Sequence, residues 1–473
     1  NATRVYTSAM EFQKMSRQIL MALMPFGLIA CSAPPLSVQQ MSEALSSELA
    51  AASAATAEPV ALSDGFLSAL VQAVEMNAGY RAALAQEREA ASRSGVAESV
   101  RRPQLSADAN LGGLRKFGAA GKTTTGISGG ISLSQLIYDG GESTAAVNRA
   151  TAEAIGARAE RVVQANTLAL DAAQAWIDIW QFDERLRLLR SRTSDMEAMV
   201  GQMERMAASG LVDRAALDSA RRQIVGVQLE QTRLEIELAD AQVRFRRHFR
   251  QTPGRLPRPS EIITPALALA QVDAWHNAPS LQARAANVIA ARHGVEEAEA
   301  AFYPRVRLQT GLRTPMDAAD PTGGTFGLGF EYRFFDGQRR VYQLEAAIAR
   351  RMAEEEQMQE EQTRLEADLA AATTRLSGID RSMSLVAEQI SLSASEAEMA
   401  RSQITTGQST LRQLVDAEVS NYRAQDSQLA MQAERQMLLL TIAGLTGELG
   451  RRIGLDVNPL EDERAALSYD AQD

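Results

Sequence analysis

At 473 residues and a net charge of −10, the chain is long enough to bury a large core and too acidic to carry a nucleic-acid footprint. Aromatic residues make up only 5% of it, while Ala, Glu, Gln, Arg and Leu abound, a balance that points to long helices packed through small side chains. With a single cysteine, no internal disulfide framework is available.

Lys14 and Arg17 precede an apolar run from Ile19 to Ala30, interrupted by Pro25 and Gly27. The run is too short to span a bilayer and has the anatomy of a secretory signal peptide, expected over 1–30. Residues 31–61, rich in Ala, Ser and Pro, read as a tether. No later segment approaches 18 uninterrupted apolar residues, so membrane entry beyond the signal requires a β-barrel.

A first repeat is expected over 62–250. From Pro103 the polar series Gln104, Ser106, Asp108, Asn110 alternates with Leu105, Ala107, Ala109, Leu111, and from Gly126 a second alternation runs through Ile127, Gly129, Ile131 and Leu133. Period two predicts strands over about 103–113 and 125–137, the length that crosses a bilayer at a tilt. The turn Tyr138-Asp139-Gly140 closes the pair. A proline-free stretch then runs from Gly141 to Ser209. Within it Val162, Ala165, Ala169, Ala172, Trp176 and Ile179 form one 3-4 seam, and Val163, Asn166, Leu170, Ala173, Ile177 and Trp180 form another. Two adjacent seams let one helix pack on neighbours at both sides, as in the wall of a cylinder; a plain four-helix bundle is the alternative. Trp176 and Trp180 read as seam packing. Gly210 marks a helix-to-helix turn, with Asp213 placed to cap the next helix.

Pro253, Gly254, Pro257 and Pro259 mark a linker over 251–262. A second repeat follows over 263–452. Its strands are expected at about 305–314 and 325–335, where Val306, Leu308, Leu312 and Phe326, Leu328, Phe330, Phe334 alternate with Arg305, Arg307, Arg313 and Arg333. The turn Phe335-Asp336-Gly337, a second proline-free stretch and a turn at Gly407 complete it. Residues 453–473 form an acidic tail without periodicity.

The second repeat restates the first. Asn77-Ala78 returns as Asn277-Ala278, Pro103 as Pro304 and Tyr138-Asp139-Gly140 as Phe335-Asp336-Gly337; Asp139 to Gly210 and Asp336 to Gly407 are both 71 residues. Four strands cannot close a barrel, and an open edge cannot sit in lipid, so insertion demands oligomers of two, three or four copies. The same alternation would also arise in a half-exposed sheet of a soluble domain; against it, the flanking segments are all committed to helices and leave no apolar layer to cover those faces.

Taken together, the lipobox-like Leu28-Ile29-Ala30-Cys31, Pro-Gln-Leu at 103–105, Leu-Ser-Gln-Leu-Ile-Tyr-Asp-Gly-Gly at 133–141, Asn-Ala-Pro-Ser-Leu at 277–281, Phe-Phe-Asp-Gly at 334–337 and Gly-Gln-Ser-Thr-Leu-Arg-Gln-Leu-Val-Asp at 407–416 resemble the TolC-like outer-membrane efflux proteins. The resemblance spans about 62–452. It implies an α+β membrane protein: a homotrimer whose four strands per chain complete a twelve-stranded outer-membrane barrel on a long α-helical, coiled-coil barrel in the periplasm of a Gram-negative bacterium. It implies a lipid on Cys31, the alternative being cleavage near Ala33 with Cys31 discarded. Partners implied are a periplasmic adaptor (membrane fusion) protein, an inner-membrane pump and outer-membrane lipids, in a tripartite efflux pump or a type I secretion system. Segments 113–125 and 314–325 would be external loops.

By the same resemblance Asp416 falls at an acidic constriction position of the inner tip, and Gln413 stands where some members carry aspartate. Asp213, Asp218, Arg401 and Arg412 are candidates for salt bridges between tip helices; for Asp416 an ordinary solvated charge is the plain alternative. Nothing in the sequence calls for catalysis or a cofactor: His248, His276 and His293 are scattered without metal-ligand spacing. A passive export duct is the leading reading, against a periplasmic adaptor or a structural coiled-coil lipoprotein.

Overall fold

The computed structural model describes residues 37–54, 58–115, 123–209, 214–272, 275–315, 321–405 and 411–455. Cys31, Gly210, Asp213, Gly407, residues 116–122 and 316–320 of the expected external loops and the tail beyond 455 lie outside them. The chain divides into two units, Asn1–Glu58 and Pro59–Asp473. In the first, the segment expected as a tether contains a helix, α1 (Val38–Ala54). Its Gln, Met, Glu, Leu and Ala content favours the helix over the extended chain that the Ser and Pro residues nearby suggest.

The second unit runs α2 (Phe66–Glu75), α3 (Ala78–Ser99), β1 (Gln104–Arg115), β2 (Thr123–Tyr138), α4 (Glu142–Ala208), α5 (Arg214–Phe249), α6 (Pro265–Val272), a 3-10 turn (Trp275–Asn277), α7 (Pro279–Ala300), β3 (Arg305–Thr314), β4 (Gly323–Glu331), α8 (Arg339–Thr405), α9 (Leu411–Leu445) and α10 (Glu448–Arg452). Elements pair off in length: α3 and α7 have 22 residues each, α4 and α8 have 67 each, and α5 and α9 have 36 and 35. At about 1.5 Å per residue the 67-residue helices are about 100 Å long. Among the described residues no helix is long and apolar enough to cross a membrane.

The four strands form one antiparallel sheet in the order β1-β2-β3-β4. Register places Leu105 opposite Leu133, Ile131 opposite Leu312 and Leu308 opposite Leu328, so the apolar series of every strand shares one face. That face is bare: Leu111, Phe326, Leu328 and Phe330 are all exposed. The opposite face carries Ser106, hydrogen-bonded to Ser132 at 2.8 Å, and Asp108, paired with Arg313 at 3.4 Å. Among the described residues β1 and β4 each have a free edge. β4 ends at Glu331, four residues short of the predicted limit, because the chain leaves the ladder before Tyr332 and Phe334 meet edge to face with ring centroids 4.9 Å apart.

The core lies about midway along the long helices, around Trp176. Its ring is fully buried against Phe66 at 5.5 Å and Phe249 at 5.8 Å, and its indole N–H donates to the Pro257 carbonyl at 3.3 Å. Trp180 is buried beside it, so both tryptophans pack as the seam spacing predicts. The linker is strapped across this level. Arg250 donates to the Met76 carbonyl at 2.6 Å, and Gln436 donates to the Pro259 and Ser260 carbonyls at 3.2 Å.

Just toward the strands from this core, Arg161 and Glu87 form an ion pair of 2.6 Å with both side chains buried. Arg161 also donates to the Leu455 carbonyl at 2.9 Å, tying α3, α4 and the end of the described chain together. Glu87 Oε1 and Arg161 Nη2 are left without partners, so the pair is incompletely compensated for its desolvation.

Candidate functional site

Two levels of the molecule carry the functional geometry: the strand-to-helix junction and the charged lower half that leads to the helical tip.

At the junction, Asp139 is buried and accepts from the Gly141 N–H at 3.1 Å and the Ser143 N–H at 2.8 Å. These bonds satisfy first-turn donors of α4, which otherwise has no side-chain cap. Gly140 takes φ +70°, and a Cβ there would run into the Tyr303 side chain, so both conformation and space demand glycine. The second copy of this motif is used differently. Gly337 keeps φ +69°, but the next residue is Gln338, also at φ +69°, and Asp336 pairs with Arg340 at 2.8 Å. Burial works against the Asp336 charge; the Arg340 hydrogen bond and charge outweigh it and hold the carboxyl below its ordinary value. Around both turns Tyr138, Tyr303, Tyr332, Phe334, Phe335 and Tyr342 are exposed, an aromatic collar at the foot of the apolar sheet face. Such collars mark the membrane–water boundary of β-barrels.

In the lower half, α9 faces α4 with charges set inside an apolar seam. Arg185 grips Asp426 with two hydrogen bonds, 2.7 and 2.8 Å. Seven residues on, Arg192 reaches Glu418 at 3.7 Å. Between these pairs sits Tyr422, whose hydroxyl is buried without a partner; burial, with Asp426 and Glu230 adding to it, pushes its phenol up. Buried Glu418 also receives Arg401 from α8, so one carboxylate joins α4, α8 and α9.

The tip residues expected from sequence are distributed as follows. Asp416 is exposed, pairs with Arg412 of its own helix at 3.7 Å and accepts from Gln223 of α5 at 3.4 Å. Gln413 is exposed on the same helix. Asp218 meets Arg221 one turn along α5 at 3.9 Å, and Arg221 crosses to Glu204 of α4 at 2.8 Å. Of the arginines expected there, Arg401 takes Glu418 across from α8 to α9, and Arg412 takes Asp416 of its own helix. Glu418, Asp426, Arg185 and Arg192 were not singled out from sequence. Their signal was present, since Glu418 stands among Val415, Val419 and Tyr422, and Arg192 among Leu189, Thr193 and Met196, charges breaking otherwise buried stripes. Among the described residues no group of three or more His, Cys, Asp or Glu side chains is arranged to hold a metal ion.

The sequence profile described as outer membrane efflux protein matches this chain twice, over residues 69–248 and 271–448. The chain therefore belongs to the outer membrane efflux protein family, which places it in the outer membrane of a Gram-negative cell, with its helical part extending into the periplasm. The outer membrane efflux protein BepC of Brucella suis biovar 1 (strain 1330) is 27% identical over 304 residues, covering 60% of this chain and 63% of that relative, less than two thirds of its length. In fold, the chain is similar to the outer membrane protein VceC of Vibrio cholerae, with TM-score 0.71 and 18% identity over 80% of this chain and 96% of that one. The Neisseria gonorrhoeae MtrE outer membrane channel, solved in its open state, gives TM-score 0.66 at 18% identity, covering 80% of this chain and 88% of that one.

Proposed function

We propose that three copies of this chain form a passive export duct, a twelve-stranded barrel in the outer membrane continued by a periplasmic tube of paired helices. The observation that carries this reading is the sheet: one bare apolar face running across all four strands, bounded by two free edges. Lipid accepts the face but not the edges, so further copies must close the wall. Signal peptide 1–30, a lipid on Cys31, repeats at 62–250 and 263–452, a linker at 251–262 and a tail at 453–473 complete the layout. A periplasmic adaptor protein and an inner-membrane pump would meet the tip, as part of a tripartite efflux pump or a type I secretion system. Energy comes from those partners.

In this reading Asp416, Gln413, Asp213 and Asp218 line the inner tip around the turns at Gly210 and Gly407, with Arg401 and Arg412 beside them. The Arg401–Glu418–Arg192 cluster ties the tip ends of α8 and α9 to α4, and its release lets the tip widen. The exposed pairs beside it, Arg412 with Asp416 and Arg221 with Glu204, are worth only about 0.2–1 kcal/mol each, so the buried Glu418 cluster is the stronger tie that a docking partner has to release. Reconstitution into planar bilayers tests the reading. Heat-modifiable trimers that conduct, with larger or longer openings in Glu418→Gln, support it; monomers that never conduct contradict it.

A further inference from the structure

A cleft of about 540 Å³ opens at the foot of the sheet, between the upper turns of α4, the last turns of α7 and the first three turns of α8. Its polar wall includes Arg305 and Glu331, which stand opposite each other in the β3–β4 register on the polar face of the sheet, away from Phe330 and Leu328. Its floor is made of small residues, among them Ala291, Gly294 and Ala298 of α7 and Ala346 and Ala347 of α8, and this is why the space exists. Six arginines and four glutamates line it, an excess of two positive charges in a chain whose net charge is −10.

Most of those arginines are committed. Arg305 holds Glu142 with hydrogen bonds of 3.0 and 2.6 Å, and Arg149 holds Glu297 at 2.8 Å and Glu153 at 3.2 Å. Arg333 takes Glu331 at 3.2 Å, and Arg340 takes Asp336. Two remain: among the described residues Arg339 and Arg350 form no ion pair within 4.0 Å, Arg339 acting on Asp336 only through its charge, and both are exposed along the cleft. Eleven residues apart, they lie on one face of α8 about 16 Å from each other, with Gln343, Ala346 and Ala347 between them. Two planar, permanently charged guanidinium groups flanking a roomy cleft match a ligand with negative groups at both ends.

We propose that this cleft is a binding station for polyvalent anions bearing phosphate or carboxylate groups, held between Arg339 and Arg350. The cleft opens on the polar face of the sheet. By the duct reading, on which only this placement rests, its three copies would then ring the base of the barrel lumen and favour anionic cargo there. Binding itself does not require a conducting channel, so it is measured separately.

The test is calorimetric titration of the detergent-solubilised full-length protein with inorganic tripolyphosphate at low ionic strength. The expected result is saturable binding that weakens at least tenfold in Arg339→Gln/Arg350→Gln and stays unchanged in Arg375→Gln, a remote arginine paired with Glu434. Circular dichroism and trimer content of the double variant check that it is folded. Absence of saturable binding to the wild type, or equal weakening in Arg375→Gln, overturns the proposal. So does saturation by micelles carrying phosphatidylglycerol with none by tripolyphosphate, which would make the cleft a lipid site.

Discussion

Asp139 and Asp336 occupy the same place in the repeat and do different work, and substitution separates them. Asp139→Ala removes the two bonds that cap α4 and should cost about 1 kcal/mol of stability. Gly140→Ala should cost more, since it combines a left-handed backbone with a collision against Tyr303. Denaturant titration of the solubilised protein checks both. For the buried pair, Arg161→Met alone leaves the Glu87 carboxylate uncompensated and should cost about 3–5 kcal/mol, whereas Glu87→Leu together with Arg161→Met should recover most of that loss. A double variant as unstable as the single one would contradict the assignment. The pH response turns on His248. Burial lowers its pKa from the ordinary 6.5, with Asp171 partly opposing and Arg247 adding to the effect. The unfolded chain therefore takes up this proton more readily than the folded one. The contribution is fully present above pH 6.5 and is lost as pH falls from there through the folded value. Thermal midpoints at pH 7.5 and 5.5 should differ less in His248→Gln than in the wild type.

At the scale of elements, the long proline-free stretches became single helices of 67 residues, the first within a residue of the limits that Gly141 and Ser209 suggest and the second lying between the turns at Gly337 and Gly407. Strand alternation was equally legible, because a period of two survives whatever covers the face. What the sequence hid were contacts that depend on which helix lies alongside. Glu418 reads as one more solvated charge until α4 and α8 supply Arg192 and Arg401. Asp336 reads as a second Asp139 until Arg340 captures it, and the expected tether hid α1. Asn277 likewise copies Asn77, which accepts from the Gly79 N–H at 2.8 Å as a cap, yet α7 starts at Pro279 without a side-chain cap. At the lower end, Glu418→Gln should unlink α8 and α9. Hydrogen exchange should quicken in residues 396–405 and 411–420 while the Trp176 level is unaffected; uniform quickening would mean that Glu418 holds the fold as a whole.

For the whole molecule, the apolar face and the free edges make opposite demands, and in the proposed duct assembly meets both. Leu328→Arg puts a charge at the centre of the bare face, where such a change costs about 2–4 kcal/mol in a lipid-facing barrel. It should deplete the protein from outer-membrane fractions, whereas Gln309→Arg on the opposite face should not. Closure of the wall is the central claim, and it is tested most directly by oxidising whole outer membranes that carry one introduced cysteine on β1 and one on β4, across a set of registers from Gln104–Asn110 and Gly324–Phe330. The account predicts disulfides between copies in at least one register, giving a covalent ladder that stops at three. Disulfides confined to single chains, or a ladder that stops at two or continues past three, would contradict it.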